Sequence, residues 1–342
     1  MSQVVSINDV RPRYSIPGGE IAVECSGFDA GYGSSHRLMV GDLECELTAA
    51  SSRYALAVVP EDIDGGHMQI VIDTGGDRSE MFPVVIGKTL TDGMHIVANP
   101  AIDPIDDALV ITRSGSRGQQ LPATLFRLET DGYLDEMPEA ILNPTGIAFD
   151  RDGRMFVTNR AQGEINLVGR DGTTTVYATG LGVATGVAFD GRGGMYVGDR
   201  LGTIYCVSDF ADVETFAKLE PSVAAYHLAF GPDERLYVTA PGLASHDAIY
   251  AIDRTGGVET YFRGLGRPQG LAFDIDGNLY AAACYQGKHG IVKIAAGGKS
   301  AEHFVAGNGI VGLCFTRKGE MIVATGDSVY SIGCDVKGTL LN

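Results

Sequence analysis

Thr145-Gly146-Ile147-Ala148-Phe149-Asp150 and Thr185-Gly186-Val187-Ala188-Phe189-Asp190 are one six-residue phrase written twice, 40 residues apart. Three looser copies follow: Tyr226-His227-Leu228-Ala229-Phe230-Gly231, Gln269-Gly270-Leu271-Ala272-Phe273-Asp274 and Val311-Gly312-Leu313-Cys314-Phe315-Thr316. Their phenylalanines, at 149, 189, 230, 273 and 315, are spaced by 40, 41, 43 and 42 residues. After each phrase come turn residues and a second apolar run, such as Met155-Phe156-Val157-Thr158 or Met195-Tyr196-Val197-Gly198. A third run (Thr203-Ile204-Tyr205-Cys206-Val207) and a fourth (Val258-Glu259-Thr260-Tyr261-Phe262) complete the period. Four short strands in about 40 residues is the pattern of a propeller blade, whose two apolar faces are buried only by stacking on neighbours. The Gly and Ala of each phrase suit an inner strand crowded at the axis, and the Phe fills the gap between blades. Asp152-Gly153 and Asp276-Gly277 suit the hairpin turn that follows.

A degenerate first copy fits Ile96-Val97-Ala98-Asn99-Pro100 with Ala108-Leu109-Val110-Ile111-Thr112, which makes six blades over residues 89–342. Two segments compete to close the ring: Gly338-Thr339-Leu340-Leu341, or the residues just before 96. Residues 1–88 have another texture. Alternating runs such as Ile21-Ala22-Val23-Glu24-Cys25 and Tyr54-Ala55-Leu56-Ala57-Val58-Val59, each bounded by turn residues, predict a small antiparallel sandwich. The fold class is therefore all-β: a small immunoglobulin-like sandwich followed by a six-bladed β-propeller.

Two resemblances sharpen this. Val10-Arg11-Pro12, Pro17-Gly18-Gly19-Glu20-Ile21, Ser26-Gly27-Phe28, Val40-Gly41 and Val59-Pro60 together resemble the IPT/TIG domain, which implies a non-catalytic module for spacing, docking or self-association, with Phe28 plugging one end. Phe156-Val157-Thr158-Asn159-Arg160 and Tyr196-Val197-Gly198-Asp199-Arg200 resemble the second strand of NHL-type propellers; more distantly, the pattern is similar to the regucalcin/gluconolactonase superfamily.

The chain of 342 residues carries 43 acidic and 26 basic side chains, a net charge of −17. That charge repels nucleic acid and anionic membrane surfaces, so neither is expected as a partner. The opening residues lack a basic start and a long apolar stretch, and no apolar run approaches 18 residues, so a cytoplasmic location is expected. Six cysteines without a CxxC spacing read as reduced, mostly buried thiols; Cys25 and Cys45, which could meet across the sandwich, are the pair to check.

Chain direction places the loops entering the inner strands and the loops after the second strands at one mouth of the channel, the expected ligand site. The entering loops bring Asn99, Asn143, Thr145, Thr185, Tyr226, Gln269 and Val311; the others bring Arg113, Asn159, Arg160, Asp199, Arg200, His246, Tyr285, His289 and Asp327. His227 stands where four copies have Gly146, Gly186, Gly270 or Gly312, and such a local inconsistency tends to mark function. His227 and Tyr226 are the candidate acid–base residues. Arg113, Asn159, Arg160, Asp199, Arg200, His246, Gln269, Tyr285 and His289 are the candidate substrate-binding residues. The arginines suit a carboxylate or phosphate, against the alternative of ion pairs to Asp199, Asp247 or Asp327. The polar loop Ser114-Gly115-Ser116-Arg117-Gly118-Gln119-Gln120 suits a lid.

The gluconolactonase resemblance implies a divalent cation held by Glu, Asn and Asp at the inner-strand starts. The matching positions here, Asn99, Thr145, Thr185, Tyr226, Gln269 and Val311, include no carboxylate, so neither a metal nor another cofactor is expected. Two readings stay open: a metal-free lactonase- or esterase-like hydrolase, or a lyase, acting on a small acidic molecule; or a non-catalytic scaffold binding a ligand or a protein, in part through the sandwich.

Overall fold

Strand follows strand along the whole path: the computed structural model describes residues 5–116, 119–243 and 246–340, and among them no residue is helical. Five four-stranded blades run in chain order, beginning with inner strands Ala101–Ile102, Pro144–Phe149, Ala184–Phe189, His227–Phe230 and Leu271–Phe273. The sixth takes Ile310–Phe315, Glu320–Thr325 and Val329–Gly333 from the end of the chain and Lys88–Thr91 as its outer strand. The segment before residue 96 thus closes the ring. Of the competing segment, Gly338 and Thr339 instead bind back to blade five at Asp274 and Phe273, and Leu341 lies outside the described residues. From blade two onward consecutive inner strands touch one another, and the first inner strand meets the last.

The repeated phrase explains the packing. A Cβ on Gly146 would sit 2.8 Å from the carbonyl oxygen of Thr185, and one on Gly312 would sit 2.5 Å from that of Ala98. Inner strands this close admit only glycine. In blades two to five the second-strand aromatic meets the phrase Phe of the next blade: Phe156 with Phe189 (5.3 Å between centroids), Tyr196 with Phe230 (5.2 Å), Tyr237 with Phe273 (4.7 Å) and Tyr280 with Phe315 (5.2 Å). Each pair adds about 1 kcal/mol to what its burial contributes. Threonines ending the second strands tie blades at the mouth: Thr112 Oγ1 donates to the Thr145 carbonyl (3.1 Å) and Thr239 Oγ1 to that of Gln269 (2.7 Å).

The N-terminal region is a two-sheet sandwich around Val23, Cys25, Phe28, Leu38, Val40, Cys45 and Ile70. Phe28 is buried, and Cys25 and Cys45 are free thiols, not a disulfide. The short strand Tyr14–Ser15 joins the two regions: it pairs in parallel with Val85–Ile86 of the sandwich and with Val305–Ala306, the end of the outer strand of blade five. Ile16, 1% exposed, enters the core between blades five and six beside Tyr280, Val305 and Ile332. The sandwich is thus welded to the propeller's side.

Candidate functional site

The mouth divides into two arcs. On the arc of blades one to three, Arg113, Arg160 and Arg200 follow their second strands and are half-buried. Repeated backbone bonds position two of them: Arg160 N donates to the Asn143 carbonyl (3.3 Å) and Arg200 N to that of Val183 (3.2 Å). None of the three has an ion-pair partner among the described residues, and the side chain of Arg160 donates only to Ser114 Oγ, at 3.4 Å. Burial, with the like charge of Arg200 beside it, lowers the pKa of Arg160. The alternative of ion pairs from these arginines to Asp199, Asp247 or Asp327 is not found among the described residues.

Those carboxylates, and Asn159, are engaged elsewhere. Asp199 is buried and accepts the Val183 and Leu201 N–H groups, both at 2.9 Å. Asp247 holds the Gly242 N–H (3.0 Å) and the Arg267 N–H (3.2 Å) in the same way. Asn159 is buried and braces its own turn through Gln162 and Glu164. Asp199 and Asn159, expected to bind substrate, are therefore loop braces: each bridges chain that would otherwise leave amides unpaired.

On the arc of blades four to six lies a cavity of about 880 Å³, walled by Gly242, Gly266, Gly290, Gly307 and Gly309 and bordered by Val223, Leu243, Arg267, Gln269, Cys284 and His289. Gln269 and His289 are thus brought together, as expected. Tyr285 is not: it faces a separate cleft between blade five and the sandwich, beside Tyr14, Lys288 and His303. His246 is exposed next to Ala244 and Ser245, which lie outside the described residues. The expected lid is partly outside them too, at Arg117 and Gly118. Its base is anchored, for Ser114 and Gly115 are buried and the Asn143 side chain donates to the Gly115 carbonyl at 2.9 Å.

Tyr226 and His227 part company. Tyr226 is fully buried in the core between blades three and four, its hydroxyl donating to the Glu220 carbonyl and its acidity suppressed by burial. It is a packing residue, because alternation along the strand sends its ring into the core when His227 faces the axis. His227 borders an axial cavity of about 20 Å³, room for a water molecule, with Asn99, Gly146 and Thr185. Its Nε2 is buried without a hydrogen-bond partner, and burial lowers its pKa to about 4, so the imidazole is neutral at pH 7.

The inner-strand positions that would hold a divalent cation do not fit one. The Asn99 side chain spans two blades, accepting from Leu313 N (3.0 Å) and donating to the Leu271 carbonyl (3.2 Å), and Thr185 Oγ1 accepts from Tyr226 N (2.9 Å). No group of three or more His, Cys, Asp or Glu among the described residues is arranged for a metal.

Two mouth residues escaped the sequence reading. Arg267 sits in the loop entering blade five with φ +46°, a position with no counterpart charge in the other copies. Cys284 is half-buried, and its sequence signal is Gln286-Gly287, whose φ values of +51° and +80° make a two-residue hairpin turn that sets the register behind it.

No family model matches the chain, and no curated protein matches it. Solved structures do. A putative gluconolactonase is 15% identical over 74% of this chain and 93% of its own, with a TM-score of 0.61. An auxiliary nutrient binding protein from Bacteroides thetaiotaomicron is 14% identical over 97% and 98%, at 0.57, thus spanning sandwich and propeller together. Virginiamycin B lyase from Staphylococcus aureus is 14% identical over 70% and 94%, at 0.53. At these identities the likeness is one of fold: this chain is an all-β propeller of the kind seen in gluconolactonase and virginiamycin B lyase structures.

Proposed function

We propose that the mouth processes a small anionic ester, lactone or sugar-like acid, by lactonase- or esterase-like hydrolysis or by elimination, without a gluconolactonase-type metal. The observation that carries this reading is the set of three half-buried arginines left without counter-ions in a chain of net charge −17. A guanidinium in a partly desolvated site holds a carboxylate with two parallel hydrogen bonds and attracts it more strongly than in water. Arg267, in the loop entering blade five, adds a positive group on the border of the cavity. Exposed Val223 and Leu243 offer apolar surface for the rest of the ligand. His227, at the axis, is the proton-handling group of this reading: its unpartnered Nε2 borders a cavity with room for one water, through which it would exchange a proton with the mouth.

The test is turnover of aldonolactones and p-nitrophenyl esters, charged and neutral, by wild type, Arg160→Ala/Arg200→Ala and His227→Ala. The double arginine variant is expected to raise KM for anionic substrates by about 10- to 100-fold and to leave neutral ones unchanged. His227→Ala is expected to lower kcat by about 100-fold. Unchanged kcat removes His227 from the reaction. Anion binding without turnover of any substrate favours the scaffold reading.

A further inference from the structure

The second and third strands of blade five, Leu279–Tyr285 and Lys288–Ile294, set Cys284 directly opposite His289. Opposed residues of an antiparallel pair carry their Cβ atoms about 5 Å apart on one face of the sheet. The register of the turn decides which face. Tyr285 and Lys288, next to Gln286-Gly287, border the cleft against the sandwich; Cys284 and His289, one step on, both border the mouth cavity. On the other side Cys284 pairs with Gly266, which has no side chain to cover it. Cys25, Cys45, Cys314 and Cys334 are buried, and burial raises the pKa of each, as it does for half-buried Cys206. Of the six thiols, Cys284 is the one that borders a cavity of substrate size with an imidazole across from it.

We infer that Cys284 and His289 form a nucleophile–base pair that takes an acyl group from an anionic ester or lactone. This rests on the reading of the mouth as an acyl-processing site, but not on His227. His289 accepts the thiol proton, and Cys284 Sγ forms a C–S bond to the substrate carbonyl carbon. The C–O bond breaks, and the departing alkoxide takes the proton back from the His289 imidazolium. Water, giving a proton to His289, then attacks the thioester; the acid leaves and the thiolate recovers that proton. The Gln269 side-chain amide, bordering the same cavity, is the available donor to the carbonyl oxygen, and Arg267 is the cation for the substrate's remote carboxylate.

The experiment uses the full chain and mono(p-nitrophenyl) succinate, an activated anionic ester. Wild type is expected to release a burst of p-nitrophenolate approaching one equivalent and to carry the succinyl mass on the peptide holding Cys284. Cys284→Ala and Cys284→Ser should abolish both, as should prior alkylation of Cys284 with iodoacetamide. His289→Gln should slow the burst and the alkylation at pH 7 by at least about tenfold, with recovery as pH rises toward free thiol ionisation. An acyl group on another residue, no acyl-protein at all, or turnover undiminished in Cys284→Ala overturns the inference. If turnover survives in Cys284→Ala yet fails in Arg160→Ala/Arg200→Ala, the reading of the mouth stands and the nucleophile assignment falls. If Cys284 is acylated equally fast by p-nitrophenyl acetate and by the anionic ester, the thiol stands and the anion reading falls.

Discussion

Five arginines among the described residues are half-buried, and the two faces of the propeller treat them in opposite ways. On the face away from the mouth, Arg127 reaches Asp103 (2.8 Å), Asp106 and Glu129 (2.7 Å), and Arg235 reaches Asp233 (2.7 Å) and Glu259. Arg170 adds a second cation to Asp103, whose side chain is only 4% exposed. At the mouth, Arg113, Arg160 and Arg200 are likewise half-buried and have no carboxylate partner among the described residues. The contrast separates two uses of one residue. Where the fold supplies the counter-charge, the arginine belongs to the scaffold; where the fold withholds it, the bare positive site is what the proposed anion binding would use.

The scaffold side of this comparison is the easier to break. Asp103→Ala removes the buried carboxylate shared by Arg127 and Arg170, which keep Asp106 and, for Arg127, Glu129; it should cost about 2 kcal/mol in urea unfolding, with anion binding at the mouth untouched. A loss below about 1 kcal/mol would mean that the paired face is no more structural than the bare one. The mouth side has its own unsatisfied group. Because the folded pKa of His227 lies near 4 against 6.5 when unfolded, the unfolded chain takes up a proton that the folded chain refuses between those values. Its contribution is therefore complete above pH 6.5 and declines as pH falls, by up to about 3 kcal/mol at pH 4. Carboxylates titrate over part of that window, so the quantity to measure is the difference between wild type and His227→Gln. That difference should change with pH between 6.5 and 4; a flat difference would place His227 in contact with water.

The propeller was legible because its constraint is periodic. Gly146, Gly186, Gly270 and Gly312 recur wherever inner strands approach too closely for a side chain, and the Phe that follows recurs wherever blades meet. A break in that period was equally legible, and His227 does stand at the axis. What periodicity cannot convey is the direction of a neighbour. Tyr226 looked like part of the same anomaly, yet strand alternation turns it into the core. Asp199 and Asn159 looked like ligands because they sit at the right end of the right strands, but loop amides claim them first. Tyr285 went to the other side of a hairpin whose register depended on a Gln-Gly turn. Chain direction alone puts Arg113, Arg160 and Arg200 after their second strands; that they lack partners among the described residues could be learned only from where the nearby carboxylates point.

Anion binding at the mouth requires that these arginines be free of internal counter-ions in the folded protein. Calorimetric titration of small mono- and dicarboxylates into wild type and Arg160→Ala/Arg200→Ala tests it most directly, with urea unfolding of both proteins alongside. Wild type should bind a carboxylate with an affinity that weakens as salt rises, and the variant should bind it at least about tenfold more weakly while its stability moves by no more than about 0.5 kcal/mol. Equal affinity in the two proteins, or a variant that loses stability as Asp103→Ala does, would show the mouth arginines to be part of the scaffold after all.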